Sequence, residues 1–155
     1  SLIDKFITNN GTKSVDHFHK RLGQIMWNKV GMSRSTDGLK LAIEEIAALK
    51  EEFYNNVYVP GSADQLNPEL EKVMRVADLI ELGQLMAVDA LHREESCGGH
   101  FREEHQDAEG ETLRDDKNFK YVAAWEYQGS DSKQSALHKE ELNYEFIKIA
   151  DRNYK

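Results

Sequence analysis

The sequence has one cysteine, two prolines and no long apolar run, and each shortage narrows the class of protein. The single cysteine, Cys97, excludes an intrachain disulfide and is compatible with a reducing compartment. No apolar segment approaches the ~20 residues that a membrane-spanning helix needs. The opening SLIDKFITNN lacks the basic and then apolar order of a secretory signal. We therefore predict a cytoplasmic protein.

Positive charge is also scarce, since 20 Lys and Arg residues face 28 Asp and Glu residues and the formal net charge is −8. A nucleic-acid surface needs clustered Lys and Arg to neutralise phosphates, so nucleic acid is not an expected partner. The sequence contains no GxGxxG, P-loop, GxSxG or EF-hand pattern. We therefore expect no nucleotide or dinucleotide cofactor to be held by this chain.

What the sequence does contain is helical periodicity. Three segments repeat apolar residues at helical spacing: residues 15–30 after the N-cap Ser14, residues up to about 56 after the N-cap Thr36, and residues 68–95. Each apolar stripe is buried only if the helices pack on one another, which predicts a mainly α fold. The expected architecture is an antiparallel three-helix bundle, spectrin-repeat-like, over residues 1–97. Residues 1–13 read as a short segment that docks by its apolar side chains.

The character of the chain changes after Ser96. The stretches FKYVAAWEYQG, residues 119–129, and LNYEFIKI, residues 142–149, are rich in aromatic and β-branched residues at near-alternating spacing. They predict two strands of a short β-hairpin around GSDSKQSALHKEE. Because a lone hairpin is marginal in water, we expect residues 98–155 to form a loop and strand extension packed on the bundle, within a single domain. The aromatic residues Trp27 and Trp125 are expected in the core or in a docking surface.

The segment LHREESCGGHFREEHQDAEGETLRDD, residues 91–116, concentrates the chemically interesting side chains. Its Cys97, His92, His100 and His105 suggest a metal site, but structural zinc sites use paired ligand spacings and here one thiol stands alone. The two acids before Cys97 would raise the pKa of its thiol, which disfavours a nucleophile. The sequence therefore predicts no catalytic, cofactor-binding or metal-binding residue, and the glycines after Cys97 are expected to form a turn.

The order of these motifs resembles the C-terminal helical region of succinate dehydrogenase/fumarate reductase flavoprotein subunits. That pattern runs close to E-S-R-G-x-H-x-R-x-D and then, after a spacer, R-D-D before an aromatic strand. The matching positions are Glu95, Ser96, Gly98, His100, Arg102, Arg114, Asp115 and Asp116. MWNKVGMSRS is similar to the family's M-W-x-x-V-G-x-x-R, and the resemblance covers roughly residues 15–127. Cys97 stands where the family usually has arginine.

The resemblance implies that the chain is the C-terminal portion of a larger oxidoreductase subunit, ending in RNYK, and that it is inactive alone. FAD would belong to the parent subunit and not to this fragment. The implied partners are the FAD-binding and capping domains of the same subunit, an iron-sulfur subunit and a membrane anchor. The parent complex would lie peripherally on the cytoplasmic face of the membrane, and would pass electrons between succinate or fumarate and a quinone.

We assign Ser96, His100, Arg102, Arg114, Asp115 and Asp116 to docking on the rest of that subunit, because arginine–carboxylate pairs orient protein interfaces. The alternative is that local salt bridges tie this loop to its own bundle. At the level of function, the alternatives are an L-aspartate oxidase C-terminal domain, a free-standing helical interaction module and a small metalloenzyme using the histidines. Bare apolar surface would also let the fragment self-associate.

Overall fold

Helices occupy most of residues 1–114 in the computed structural model, which describes residues 1–129 and 135–150. The chain divides into two units, Ser1–Arg114 and Asp115–Lys155. The helices of the first unit are α1 Leu2–Thr8, α2 Val15–Ile25, α3 Thr36–Asn56 and α4 Pro68–His92, with a π-helical turn at Met26–Val30 directly after α2. Its two-residue strands are β1 Lys13–Ser14, β2 Ser33–Arg34, β3 Val57–Tyr58 and β4 Phe101–Arg102.

Polar side chains cap the starts of the three long helices. Ser14 Oγ accepts a hydrogen bond from the His17 N–H at 3.2 Å, which confirms the predicted start of α2. The prediction that Thr36 caps α3 is wrong. Ser35 is the cap, because its extended backbone lets its hydroxyl accept from the Gly38 N–H at 3.1 Å, and Thr36 is the first helical residue.

Three long helices form the predicted antiparallel bundle, in which α2 and α4 both run opposite to α3. The direction of each pair follows from the ion pairs between these elements. They are Arg21–Glu52 between α2 and α3, Lys29–Glu45 between the π-helical turn and α3, Lys50–Glu81 between α3 and α4, and Asp16–Lys72 between α2 and α4. The numbers rise from Arg21 to Lys29 while those of their partners fall from Glu52 to Glu45, so α2 and α3 are antiparallel. In contrast, the numbers rise from Asp16 to Met26 and from Lys72 to Gly83, the neighbour of Met26, so α2 and α4 run in the same direction.

An aromatic cluster forms one end of the core. The ring centroid of Phe53 lies 5.3 Å from that of Phe18 and 5.5 Å from that of Phe6, both in edge-to-face geometry, and all three rings are fully buried. Burying a phenylalanine side chain contributes about 1.5–3 kcal/mol. The N-terminal segment therefore docks on the bundle as expected, and it does so as a capped helix through Phe6.

The end of α2 departs from the prediction of a single α-helix over residues 15–30. The α-helix ends at Ile25, and Met26–Val30 form one π-helical turn before Gly31. A Cβ added to Gly31 would lie 2.8 Å from the carbonyl oxygen of Trp27, so this turn requires glycine. Trp27 itself is 83% exposed, which excludes it from the core of the bundle.

Helix α4 also ends earlier than predicted, at His92 and not near residue 95. Arg93 adopts an extended conformation, and the chain then runs back to form the parallel β2–β4 pair with the segment before α3. The register places Ser33 opposite Phe101 and Arg34 opposite Arg102. This pairing joins the loop after α4 to the start of α3.

The second unit contains a short helix, α5 Asp116–Phe119, and an antiparallel pair of strands, β5 Tyr121–Glu126 and β6 Ala136–Glu141. The first predicted strand is confirmed by β5. The prediction of a strand at residues 142–149 is wrong, since the partner strand precedes that stretch and pairs Tyr121 with Glu141. Residues 130–134 of the predicted hairpin turn, and RNYK, lie outside the described residues.

The predicted fold class, mainly α with a small β-hairpin extension, is thus confirmed. Across residues 1–129 and 135–150, no helix combines the length and the apolar character needed to cross a membrane.

Candidate functional site

The segment between α4 and Gln106, which we term the 93–105 loop, holds three of the six predicted docking residues. Arg102 lies at its centre and is only 1% exposed. Arg102 Nη1 donates to the carbonyl oxygens of Ala90 at 2.9 Å and Leu91 at 3.3 Å, which belong to the last turn of α4. Those carbonyls have no partner within the helix, and a cation there also interacts favourably with the helix dipole. Arg102 therefore caps α4.

Ser96 fixes the backbone of Arg102. The Ser96 hydroxyl accepts from the Arg102 N–H at 2.9 Å and lies 3.1 Å from the Arg102 carbonyl oxygen, to which it donates. Between them, Cys97 and His100 exchange backbone hydrogen bonds of 2.8 and 3.0 Å around a tight turn. Gly98 has a φ of +59° in this turn, which confirms the prediction that glycine is needed there. Ser96 is buried and Cys97 is exposed.

His100 is held between two groups that define its protonation state. Arg34 Nη1 lies 2.6 Å from His100 Nδ1, and His100 Nε2 lies 2.8 Å from the carbonyl oxygen of Arg93. A guanidinium only donates and a carbonyl only accepts, so His100 is neutral with its proton on Nε2. Burial lowers the pKa of His100 and the charges of Arg34 and Arg102 add to this, although the hydrogen bond to Arg93 opposes them.

Glu104 links the same loop to the start of α3. Its Oε1 accepts from the Thr36 N–H at 2.5 Å, and its Oε2 accepts from Arg102 Nε at 3.3 Å. Burial acts to raise the pKa of Glu104, but the hydrogen bond from Thr36 and the charge of Arg102 outweigh it and hold this pKa below its ordinary value. The Thr36 hydroxyl accepts from Arg102 Nη2 at 2.6 Å, so Arg102 contacts both helix ends.

The other predicted docking residues lie further along the chain. Arg114 is the last residue of the first unit and is half-buried. Asp115 and Asp116 belong to the second unit, where Asp115 caps α5 by accepting from the Asn118 N–H at 3.1 Å and from Asn118 Nδ2 at 2.7 Å. The side-chain hydrogen bond from Asn118 lowers the pKa of Asp115. Asp116 is the acidic residue in the first turn of this helix.

The structure therefore brings Ser96, His100 and Arg102 together, and it adds three residues that the assignment of docking residues missed: Arg34, Thr36 and Glu104. Arg34 had a signal in the sequence, because it closes the pattern M-W-x-x-V-G-x-x-R. Thr36 and Glu104 had none, since each is recognised only through the contact with Arg102 that the fold creates.

The chemistry open to this cluster is limited by its own hydrogen bonds. A general base needs an accessible lone pair, and the accepting nitrogen of His100 is occupied by Arg34. Within residues 1–129 and 135–150, no group of three or more His, Cys, Asp or Glu side chains is arranged to hold a metal ion. The arrangement instead joins the C-terminal end of α4 to the N-terminal end of α3 through charged hydrogen bonds.

Comparison with known proteins identifies similar sequences. The profile of the family described as "Fumarate reductase flavoprotein C-term" matches residues 19–154. The fumarate reductase flavoprotein subunit of a Serratia species is 31% identical over 109 residues, a match that covers 70% of this chain and 17% of that protein. L-aspartate oxidase 2 of Ralstonia nicotianae is 33% identical over 94 residues, covering 60% of this chain and 16% of that protein. The chain thus spans less than a fifth of the length of these relatives.

A similar fold occurs in a solved structure described as quinol-fumarate reductase with menaquinol molecules. The TM-score is 0.76 at 22% sequence identity, and the superposition covers 94% of this chain and 24% of the other. At this level of identity the similarity concerns the fold alone.

Proposed function

Since the chain belongs to the family of fumarate reductase flavoprotein C-terminal domains, we propose that it serves a longer flavoprotein subunit as a non-catalytic accessory domain. The observation that carries this proposal is the family match over residues 19–154, because it spans both units of the chain. In this role the domain packs against the FAD-binding and capping domains of the same subunit.

The side chains of the 93–105 loop support a structural role. The guanidinium of Arg102 and both ring nitrogens of His100 hydrogen-bond to groups of the same unit, so they have little capacity left to bind a substrate. The sequence also lacks a glycine-rich turn for a dinucleotide. We therefore assign FAD to the remainder of the longer subunit and derive no chemical step from this chain.

The reaction we propose for the longer subunit is the interconversion of succinate and fumarate, with electrons passing between the flavin and a quinone through an iron-sulfur subunit. The complex would attach to the cytoplasmic face of the membrane through an anchor. The Serratia relative, a fumarate reductase flavoprotein subunit, supports this assignment, and the quinol-fumarate reductase structure supports the fold.

The test removes these 155 residues from the longer subunit and adds the chain back separately. We expect the truncated subunit to bind the added chain and to recover succinate-dependent dye reduction, since the domain completes the fold of the flavoprotein. A truncated subunit that is fully active alone and does not bind the chain would refute the accessory role.

The docking assignment of Arg114 has a matched control in the same assay. Replacing Arg114 with alanine should weaken binding roughly three- to tenfold, the range expected when an interface loses a charged contact. Arg21→Ala removes an arginine whose exposed ion pair with Glu52 lies between α2 and α3, and it should leave binding unchanged. Equal effects of the two substitutions would argue against a docking role for Arg114.

L-aspartate oxidase is the second candidate for the parent enzyme, because the Ralstonia relative is slightly more identical than the Serratia one. The two candidates differ in substrate and not in the fold of this domain. Dye reduction by the full-length subunit with succinate and with L-aspartate separates them. Activity with L-aspartate alone would replace the succinate assignment while leaving the accessory role intact.

A further inference from the structure

We propose that the exposed side of the α2–α4 contact is the surface that packs against the flavin-binding portion of the longer subunit. This proposal rests on the proposed function and adds the docking surface to it. The surface, which we term the α2–α4 face, consists of Gly23, Trp27, Leu79, Leu82 and Met86.

The ion pairs between helices show which side of each helix faces the bundle. Arg21 on α2 and Glu81 on α4 both pair with residues of α3. Asp16 and Lys72, in contrast, pair with each other at 3.2 Å along the α2–α4 contact. The sides of α2 and α4 that lie near the Asp16–Lys72 pair face away from α3, so they are open to another protein surface.

Helical spacing places the apolar residues on those open sides. Gly23 follows Asp16 by seven residues, or about two turns, so it lies on the same side of α2, and Trp27 follows in the π-helical turn that directly continues this helix. Leu79 and Met86 follow Lys72 by seven and fourteen residues, or about two and four turns, so they lie on the same side of α4. Leu82 lies between them in the sequence and extends the stripe outward.

These side chains are apolar and unusually exposed. Trp27 is 83% exposed, Leu82 is 52% exposed and Met86 is 45% exposed. The core side of α4 is filled by other residues, including Val76, Ile80 and Ala87, so the exposed stripe is a second apolar surface on one helix. Exposed apolar side chains gathered on one side of a helix pair favour an interaction site, and tryptophan is enriched at interface hot spots.

The two glycines on these helices have opposite surroundings, one buried in the contact and one exposed. Gly83 is buried, and a Cβ added there would lie 3.2 Å from Met26 Sδ and 3.4 Å from a methyl of Leu22, so it brings the helices close together. Gly23 lies one turn before Trp27 and is exposed, and a Cβ added there would meet nothing within 4 Å. The surface therefore presents the exposed indole of Trp27 and, one turn before it, a glycine without a side chain.

The occupant follows from the length of the relatives. The matched region makes up 17% of the Serratia subunit, so most of such a polypeptide lies outside this domain. The polar groups of Arg102 and His100 are directed into the domain and are therefore not available to pack on that remainder. An apolar face covered within one polypeptide chain needs no polar rim for solubility, whereas a reversible self-contact usually has one.

Hydroxyl-radical footprinting tests the proposal on intact proteins. The rates of side-chain oxidation are measured for the 155-residue chain and for the same residues within the full-length subunit. We expect oxidation of Trp27 and Met86 to be about tenfold slower in the full-length subunit, as is typical of residues desolvated at the centre of an interface. Leu66, which is 96% exposed in the loop before α4, should react equally in both.

Two substitutions give a second measurement that does not depend on oxidation chemistry. Gly23→Arg places a long charged side chain on the face, one turn before Trp27. It should weaken binding of the chain to the truncated subunit by at least about tenfold. Ala48→Arg is the matched control and should bind normally, because it places the same side chain at an exposed position of α3 outside the face. Circular dichroism of both variants confirms that the fold is retained.

The outcomes distinguish this surface from the proposed function. Protection of Trp27 and Met86 supports both. Protection confined to other residues, or equal binding by the Gly23→Arg and Ala48→Arg variants, overturns the α2–α4 face and leaves the accessory role standing. No protection anywhere overturns both. The separate chain is also measured at rising concentration. If its Trp27 and Met86 become protected there as its molecular mass increases, the face binds a second copy of the chain and the proposal is overturned.

Discussion

Arg34 Nη1 lies 2.6 Å from His100 Nδ1, so a cation occupies the position where a second proton on the imidazole would have to point. A neutral imidazole accepts a hydrogen bond from the guanidinium, whereas an imidazolium would repel it. This contact is consistent with the lowered pKa of His100, for which burial is the largest cause.

The first prediction concerns stability as a function of pH. Because the folded-state pKa of His100 lies below its ordinary value of 6.5, the unfolded chain binds more protons at intermediate pH. The contribution of His100 to stability is therefore complete above about pH 6.5 and is lost as the pH falls through the lowered pKa. Urea unfolding of the chain at several pH values between about 8 and 5 measures this loss.

His100→Gln is the control for that experiment. A glutamine side chain is able to accept from Arg34 and donate to the Arg93 carbonyl without titrating. All other groups are common to both proteins, so their contributions cancel in the difference. The difference in unfolding free energy between the wild type and His100→Gln should vary with pH, and a constant difference would contradict the assignment.

The second prediction compares a buried arginine with an exposed one. Arg102→Ala removes a guanidinium that is 1% exposed and leaves the carbonyls of α4 and the carboxylate of Glu104 without this donor. We expect a loss of about 3–5 kcal/mol in the free energy of unfolding, as for other broken buried charge contacts.

Arg75→Ala is the matched substitution on the surface of α4, where Arg75 pairs with Glu71 in an exposed position. Exposed pairs of this kind contribute about 0.3–0.5 kcal/mol, so its effect should be small. Chemical denaturation of both variants measures the comparison. Similar losses would mean that Arg102 does not carry the connection between the helix ends.

The third prediction uses two glycines that should respond to alanine in opposite directions. A Cβ on Gly11 would lie 2.2 Å from the carbonyl oxygen of Asn56, which is backbone and has no flexible side chain to move aside. Gly11→Ala should therefore destabilise the chain by about 1–3 kcal/mol or more. Gly23→Ala should stabilise it by about 0.5–1 kcal/mol, because a helix-interior glycine is replaced without any contact.

Thermal unfolding of the two glycine variants, followed by circular dichroism at the same protein concentration, gives the sign of each change. A rise in melting temperature for Gly11→Ala would show that the backbone near Asn56 shifts at little cost.

The helices of the bundle were predictable because their apolar periodicity is a local property of the sequence. The cap of α3 was not, since Ser35 and Thr36 are both good capping residues. The choice is consistent with Arg102, which donates to the Thr36 hydroxyl from 66 residues away. A contact at that separation leaves no periodic signal in the chain.

The hairpin shows a different limit of sequence reasoning. The alternating pattern of residues 142–149 favoured a strand there, yet β6 is formed by the polar stretch Ala136–Glu141. Contacts between side chains of the two strands favour the pairing of β6 with β5. His138 Nε2 lies 2.7 Å from Glu126 Oε2, and Lys139 Nζ lies 4.4 Å from the centroid of the Tyr121 ring. Such pairs allow a polar stretch to form the partner strand, while β5 supplies the buried side of the hairpin through Tyr121.

The predicted docking residues show the same difference between what a local pattern locates and what the fold decides. The pattern located Ser96, His100 and Arg102, but their roles depend on which way each side chain turns, and the resemblance alone does not specify this. In the structure Ser96 and Arg102 turn inward and form hydrogen bonds within their own unit. Their docking role remains a prediction, as does that of Arg114, Asp115 and Asp116.

The β2–β4 pair has a consequence for the order in which the chain folds. It joins two segments that are far apart in the chain, since Arg34 pairs with Arg102, 68 residues later, and each strand has only two residues. Closing so long a loop costs chain entropy that so few contacts do not repay, whereas the helices that lie between these segments pack on neighbours in the sequence. We therefore expect the 93–105 loop to join a bundle that has already assembled. We also expect it to detach before the helices separate during unfolding, so that its amide hydrogens exchange with solvent ahead of those in the core.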